Sequence, residues 1–565
     1  MSSKFRFRLH DNVGVADAEQ DHLFLKKCFV DVGDTAILRD CDDPRRIVLG
    51  RTGAGKTALL YQFVEHQDNV IEIKPESLAL AYISNSTILQ FVHDLGVNLN
   101  IFFKLLWRHV FTVEILKAHF KLDSEQATVP VLERIKNLFS GRSRKHAQAM
   151  DYLEKWGKTF WEETDYRIKE LTTKLETDLK LSIDAAKVGI PISANGGKSL
   201  TEEQKAEVVH RAQHVVNEVQ IRQLSDMIEL IDEVLEDPKR CYYVVIDRLD
   251  EHWVEDGLRY LLIRALIETV RDFVKVKHAK IVIALRYDLL DRVIRLTRDA
   301  GFQEEKYESL YLPIEWTKGQ IIELLDLRIG ALVRQRYTTR AVTHGDLLPG
   351  KISKQASMDY ILERTLMRPR DVILFFNLCI SQAVDNPSIT AQMVRQAEGE
   401  YSRLRLRSLA DEWSSDYPTL LSFVDLLKGR PSCFPLDSIS DDDCLNLCVK
   451  LHDQGIESKD DLSRAALSLV DAALSCDDFR RAMMVAFYKV SLVGLKLEHY
   501  ERVSWSIGGR RSVSAAEIQP VTRIAVHPCF WRTLGIRGLA NPVEAAIGPC
   551  AELGSTFRRG AQPAQ

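Results

Sequence analysis

The sequence predicts an α/β protein: a parallel-sheet core, broken by a long helical insertion and followed by a helical lid and a mainly α C-terminal region. Two observations carry this expectation. Short, mostly apolar runs at Ile47–Leu49, Val70–Ile73, Tyr242–Ile246 and Lys280–Leu285 have the character of strands covered on both faces. Between residues 81 and 235 strand signals nearly vanish, and long helical periodicity with dense alternating charge replaces them.

Taken in order, the first run leads through a glycine-rich loop into the helix-period segment Thr57–Phe63, and the second is stopped by Pro75. Inside the insertion, Asp151–Asp184 shows long helical periodicity with dense alternating charge. A turn at Pro191–Gly197 precedes Thr201–Gln204, a capping-box pattern opening a second helix through Leu235, so the pair reads as a helical hairpin. The sheet resumes at Tyr242 and closes with a strand near Ser309–Leu312; Trp316–Lys318 then opens a helix over Gly319–Leu332. Further on, helices precede a hairpin candidate, Arg502–Ile507, the turn Gly508–Arg511, and a run ending at Ile524–Val526, an order that suggests a winged helix. The resulting divisions are 1–80 and 239–315 for the core, 81–238 for the insertion, 316–388 for the lid, 389–540 for the winged-helix-like domain and 541–565 for a mobile tail.

A chain of 565 residues is too long for one ordinary core. With 45% hydrophobic and 28% charged residues it has a globular composition, and a net charge of −4 gives no global attraction to nucleic acid, so any such contact needs a local patch. The ten cysteines form no CxxC pair, and the opening Met1–Arg6 lacks the apolar core of a signal peptide. No apolar run reaches the ~20 residues that span a bilayer. A cytoplasmic protein without a membrane partner is expected.

The chemistry concentrates in Gly50-Arg51-Thr52-Gly53-Ala54-Gly55-Lys56-Thr57, a GxxxxGK[ST] octet between a strand and a helix. Glycines let the backbone N–H groups curl around a polyphosphate, and the helix N-terminus adds positive potential. Lys56 then reaches the β and γ phosphates, and Thr57 offers a hydroxyl to Mg2+. Gly196-Gly197-Lys198-Ser199 is a lookalike, with Ile192 in place of the first glycine and no strand before it.

The partner of a phosphate loop is an apolar strand ending in an acid, which Tyr242–Asp247 supplies; Asp247 is the second magnesium ligand. Beyond it, Asp250 and Glu251 are the candidates to polarise an attacking water, with Asp250 slightly preferred; helix capping is the alternative for one of them. Arg286 ends the next buried strand, where its guanidinium is a candidate for the γ phosphate. No NKxD guanine-reading motif occurs, so the nucleotide is expected to be ATP.

With both motifs in hand, the chain resembles the KAP and NACHT branches of the STAND-type P-loop ATPases, relatives of AAA+ proteins. Asp247-Arg248-Leu249-Asp250-Glu251 looks like their acid-x-hydrophobic-acid signature, although Arg248 stands where one branch has a small residue and the other an acid. The resemblance implies an ASCE-type core, a nucleotide-sensing role for Arg286, and a second sensor, Arg370, within Arg368-Pro369-Arg370-Asp371. Asn12–Glu19 and Phe160–Thr164 are similar to segments of bacterial P-loop ATPases, many of which sit in phage-defence systems. In function, the resemblance implies a slow, partner-regulated, Mg-dependent ATPase that forms a homo-oligomer and acts through a separate effector or regulator protein.

Other groupings are weaker. Cys444, Cys448 and His452 stack on one helix face but lack a fourth ligand, so buried thiols are the preferred reading. Arg510 and Arg511 at the hairpin tip, with Arg403, Arg405 and Arg407, form a candidate DNA contact. Arg292, Arg295 and Arg298 are candidate donors to a neighbour's site, and the apolar run Phe102–Phe111 reads as core. Three functions are compatible with these residues: an ATP-driven switch or assembly ATPase, a DNA-associated loader or motor, and a nucleotide-stabilised scaffold.

Overall fold

A computed structural model of the chain describes residues 5–15, 17–77, 99–122, 144–157, 160, 166, 218–235, 237, 240–251, 253–254, 256–298, 303–334, 341–498, 502–506 and 512–538. In chain order the principal elements begin with α1 (His22–Lys27), α2 (Asp34–Arg39), β1 (Ile47–Gly50), α3 (Lys56–Glu65) and β2 (Val70–Ile73). Three helices come next, α4 (Asn100–Phe120), α5 (Arg144–Trp156) and α6 (Glu218–Leu235), then β3 (Tyr242–Ile246), α7 (Asp256–Asp272), β4 (Ala279–Arg286), α8 (Tyr287–Thr297) and β5 (Tyr311–Pro313). The remainder is α9 (Lys318–Arg334), α10 (Ser357–Glu363), α11 (Pro369–Gln382), α12 (Ala391–Glu412), β6 (Cys433–Pro435), α13 (Asp441–Asp453), α14 (Asp461–Val470), α15 (Cys476–Lys489), β7 (Val493–Lys496) and β8 (Arg523–Val526).

The chain divides into two compact units. The first comprises Gly33–Leu49 and Leu59–Pro313. Its five-stranded sheet has the order β2-β3-β4-β1-β5, and the pairings β2–β3, β3–β4 and β1–β5 are parallel. β3 is buried along its whole length, as its unbroken Tyr-Tyr-Val-Val-Ile run requires. Because β1 and β3 point the same way, the chain leaves both at the carboxyl edge of the sheet. The apolar run Phe102–Phe111 lies in α4, which packs along α7 with Trp107 fully buried and its indole N–H donating to the Leu262 carbonyl at 2.9 Å. The described parts of 81–238 are thus helical and share one apolar core with the sheet. The segment of the expected hairpin helices from residue 167 to 217, with the lookalike at Gly196–Ser199, lies outside the described residues.

At the amino edge of this sheet the loop before β1 is held from several sides. Lys280, buried in β4, donates to the carbonyls of Ile37, Asp40 and Asp43 at 2.8, 2.7 and 3.2 Å. Burial pulls its ammonium pKa down to about 8. Cys41 and Cys241, 200 positions apart, are joined as a disulfide. Sequence spacing concealed this pair: parallel strands start at one edge, so the loops that precede them come together whatever their separation in the chain.

The second unit comprises Met1–Val32, Gly50–Ala58 and Ile314–Gln565. Helices α9 to α12 share one apolar core with the C-terminal elements. A three-stranded antiparallel sheet has the order β6-β8-β7. The partner of β8 is β7, Val493–Lys496, and not the expected Arg502–Ile507; of that run, Ser504 makes one isolated bridge to Leu495. Val493, Gly494 and Leu495 are buried, whereas Arg502 is exposed, so the strand goes to the more apolar stretch. The tip with Arg510 and Arg511, and the tail from residue 541, lie outside the described residues. Among the described residues, no helix is long and apolar enough to cross a membrane.

Candidate functional site

The octet Gly50–Thr57 begins at the last residue of β1 and ends in the first turn of α3, which begins at Lys56. Two glycines make the curl: Gly53 and Gly55 have φ of +77° and +99°, where any other residue is strained. A Cβ at Gly53 would also stand 2.7 Å from Cβ of Arg370. The Ala54 N–H donates to the Arg51 carbonyl at 3.1 Å and closes the turn. The Lys56 ammonium donates to the carbonyls of Gly50 and Arg51, at 3.1 Å each, so the lysine is folded back over its own loop.

The loop is also held by residues distant in sequence. Trp316 donates its indole N–H to the Ala54 carbonyl at 2.7 Å, and Arg368 donates from Nη1 to the Thr52 carbonyl at 2.8 Å. Arg370 lies against Gly53, and burial together with the nearby Arg368 charge lowers the pKa of its guanidinium. Arg368 is itself fixed: its Nε donates to Asp371 at 3.0 Å and its Nη1 lies 3.4 Å from Glu412. Arg405 approaches the other Asp371 oxygen at 3.4 Å. Burial works to raise the Asp371 pKa, but the two arginines outweigh it and hold the carboxyl at about 2.

Arg51 points from the loop to the C-terminal elements. Its guanidinium donates to the Ser491 hydroxyl at 2.7 Å and to the Val490 carbonyl at 3.3 Å. Ser491 sits in the left-handed region, φ +62°, where α15 ends and the chain turns sharply into β7.

At the end of β3, Asp247 accepts the Arg248 N–H at 2.8 Å, and Arg248 turns the chain with φ of +60°. Arg286, at the end of β4, grips Asp288 through Nε and Nη2 at 3.0 and 2.8 Å and reaches Asp250 at 3.3 Å. The structure therefore brings Arg286 and Asp250 together. Burial and a hydrogen bond with Glu76 raise the Glu251 pKa, while the Arg248 charge opposes them. Buried Arg259 donates to the carbonyls of Asp250 and Glu251 at 3.4 and 3.1 Å and fixes this turn.

Sequence reasoning missed Glu76, Arg259, Trp316 and Arg368. Glu76 lies just beyond β2, which is parallel to β3 and next to it, so its position at the same sheet edge is the signal that could have found it. Several other candidates fall elsewhere. Arg292 is buried, 3.4 Å from the Tyr260 hydroxyl, and Arg405 is turned inward to Asp371, leaving Arg403 and Arg407 as the exposed members of their set. A buried arginine of this kind cannot serve a neighbouring subunit or a nucleic-acid face. Cys444 and Cys448 are buried thiols of α13, their pKa values raised by burial, and His452 lies beside Asp453. The Thr57 hydroxyl and the Asp247 carboxylate are hard oxygen donors of the kind Mg2+ prefers.

Loop and acids together define the broad class, a Walker-type P-loop nucleotide-binding protein. Residues 319–410 match the family described as the FunZ-associated C-terminal helical domain, a segment that contains Arg368, Arg370, Asp371 and Arg405. Over 555 residues the chain is 22% identical to the putative transposon gamma-delta 80.3 kDa protein of Escherichia coli K12, covering 94% of this chain and 68% of that protein. Among solved structures it is similar to the Walker-type ATPase PABY2304 of Pyrococcus abyssi, with a TM-score of 0.35 and 10% identity over 90% of this chain and 96% of the other.

Proposed function

We propose that the chain is a Mg-dependent ATPase that works as a STAND-like switch, with nucleotide occupancy of the Gly50–Thr57 loop communicated to the C-terminal elements. The single observation that carries the switch is the Arg51 guanidinium, which joins the phosphate loop to Ser491 and Val490. A ligand biases two states only by contacting them differently, and a loop side chain anchored in the output elements supplies such a difference. Lys56 and the loop N–H groups would hold the phosphates; Thr57 and Asp247 are the residues proposed as magnesium ligands, and the ion would supply positive charge to the polyphosphate. Arg286 and Arg370 are the sensors. Glu251, with its raised pKa, polarises the water, and Asp250 is held by Arg286.

The order β2-β3-β4-β1-β5, with one strand between the loop strand and the acid strand, supports the ASCE assignment. The order β6-β8-β7, with helices between β6 and β7, supports a winged helix. A second reading, a DNA-associated ATPase, is favoured by that winged-helix order and by the transposon named for the E. coli relative. A role in phage defence through a separate effector protein, and a homo-oligomeric assembly, belong to the switch proposal.

The test is ATP binding and turnover by the purified chain, with and without duplex DNA, beside Lys56→Ala. Lys56→Ala should lose ATP binding by at least about a hundredfold, consistent with removal of the charge on the phosphates. Tight binding retained in that variant sinks the site. Turnover indifferent to DNA supports the switch, and strong salt-sensitive stimulation by DNA moves the assignment to the second reading.

A further inference from the structure

We infer that Trp316 and Arg368 are positioning residues for the polyphosphate: from outside the loop they hold the carbonyls of Ala54 and Thr52, and so aim the N–H groups of Gly55 and Gly53 inward. The inference rests on the nucleotide reading above and adds two residues to it.

A trans peptide is planar, and its C=O points opposite to the N–H of the next residue. Fixing the Thr52 carbonyl therefore fixes the Gly53 N–H, and fixing the Ala54 carbonyl fixes the Gly55 N–H. Both carbonyls accept at short range, Thr52 from Arg368 at 2.8 Å and Ala54 from Trp316 at 2.7 Å. The peptide between them is held at both ends: the Ala54 N–H closes the turn onto the Arg51 carbonyl at 3.1 Å, and the Gly53 carbonyl accepts the Arg370 N–H at 3.4 Å.

The clamp matters because of the glycines. Gly53 and Gly55 give the loop the positive φ it needs, and the same freedom lets the unliganded backbone wander. Dipoles aimed before the ligand arrives spare the reorganisation that would weaken binding. Each clamp is held from behind: Arg368 is buried between Asp371 and Glu412, and the Trp316 ring lies against Gly55, where an added Cβ would come within 3.6 Å of Cζ2. These N–H groups select a polyphosphate; that it is a nucleoside di- or triphosphate comes from the nucleotide reading above.

Trp316→Phe keeps an aromatic ring at this position but removes the N–H donor together with the part of the indole that lies against Gly55. With the full-length protein, Kd for Mg-ATP and Mg-ADP should rise roughly five- to tenfold, the range expected for one hydrogen bond. KM should rise in step with kcat held within about twofold, and the urea midpoint of the ligand-free protein should fall by no more than the worth of one hydrogen bond. Arg368→Lys keeps the buried charge beside Asp371 and withdraws the fork that reaches Thr52, and the same several-fold loss is expected. Affinity within twofold of wild type in Trp316→Phe overturns the inference, as does a kcat that falls as far as the affinity; unchanged affinity in Arg368→Lys removes Arg368 from it. Wild-type protein that binds no Mg-ATP, with Lys56→Ala behaving identically, would instead overturn the nucleotide reading beneath it.

Discussion

Behind the phosphate loop, Asp371 has no exposed side-chain surface and is shared by Arg368 and Arg405; at the end of β3, Asp250 keeps 40% of its side-chain surface in solvent and meets Arg286 on one side only. The first arrangement is neutralised inside the protein and has one stable charge state. Glu251, near Asp250 in the turn, has its pKa raised by burial and by a hydrogen bond with another acid, Glu76, so its charge is less firmly held. Fixed charge suits a scaffold that shapes a loop, and labile charge suits proton transfer during hydrolysis.

Breaking the fixed side should have the largest effect on stability. Asp371→Asn leaves Arg368 and Arg405 buried without their shared carboxylate, a change that typically costs about 3–5 kcal/mol. Urea unfolding followed by tryptophan fluorescence should show the loss in the unit that holds α11 and α12. Asp371 has its folded pKa lowered to about 2 from 3.8, so its contribution is fully present above about pH 4 and is lost as pH falls from there towards 2. The gap between wild type and Asp371→Asn should therefore close across that window; a gap that stays constant to pH 2.5 would show that the ion pairs are not its source.

On the labile side the expected effect is on turnover. Glu251→Gln removes the group with the raised pKa and should lower kcat by roughly a hundredfold, within the usual range for a general base. Asp250→Asn weakens one contact of Arg286, which keeps its two bonds to Asp288, and should cost no more than about tenfold. Single-turnover hydrolysis with both variants decides the assignment. The reverse ranking would restore Asp250 to the role that its place in the motif suggests.

How far these two regions could be read from the chain differs for a physical reason. The strands Val70–Ile73 and Tyr242–Ile246 and the octet were legible because each is contiguous: buried strands need unbroken apolar runs, and a phosphate loop needs its glycines at fixed spacing. Arg370 was implied only by the resemblance to STAND-type ATPases, whereas Arg286 was reachable because it ends such a strand. Trp316, Arg368 and Ser491 were not, since a loop carbonyl accepts from whatever donor tertiary packing delivers to it. The same holds for Cys41 and Cys241, which meet only because parallel strands start at one edge. The strand beside Arg523–Val526 was hidden for another reason: Val493–Lys496 is short and its first three residues are all buried, so it shows no alternation that would mark it as a strand.

The smallest effect, and the sharpest probe of the acid turn, is Arg248→Gly. Arg248 adopts φ of +60°, a conformation that costs an L-residue about 1 kcal/mol and glycine nothing, while glycine's freer unfolded chain gives back part of that gain. A net stabilisation below about 1 kcal/mol is expected, read as a small rise in the urea midpoint. The substitution also removes the guanidinium 3.8 Å from Glu251, the one nearby charge that lowers its pKa. The acid limb of the kcat profile should then move to higher pH, because Glu251 must lose its proton before it can accept one from water. If the limb stays where it is while the midpoint rises, Arg248 is only a turn residue and Glu251 is not the base; if both move as stated, strain and proton affinity at the end of β3 are set by the same side chain.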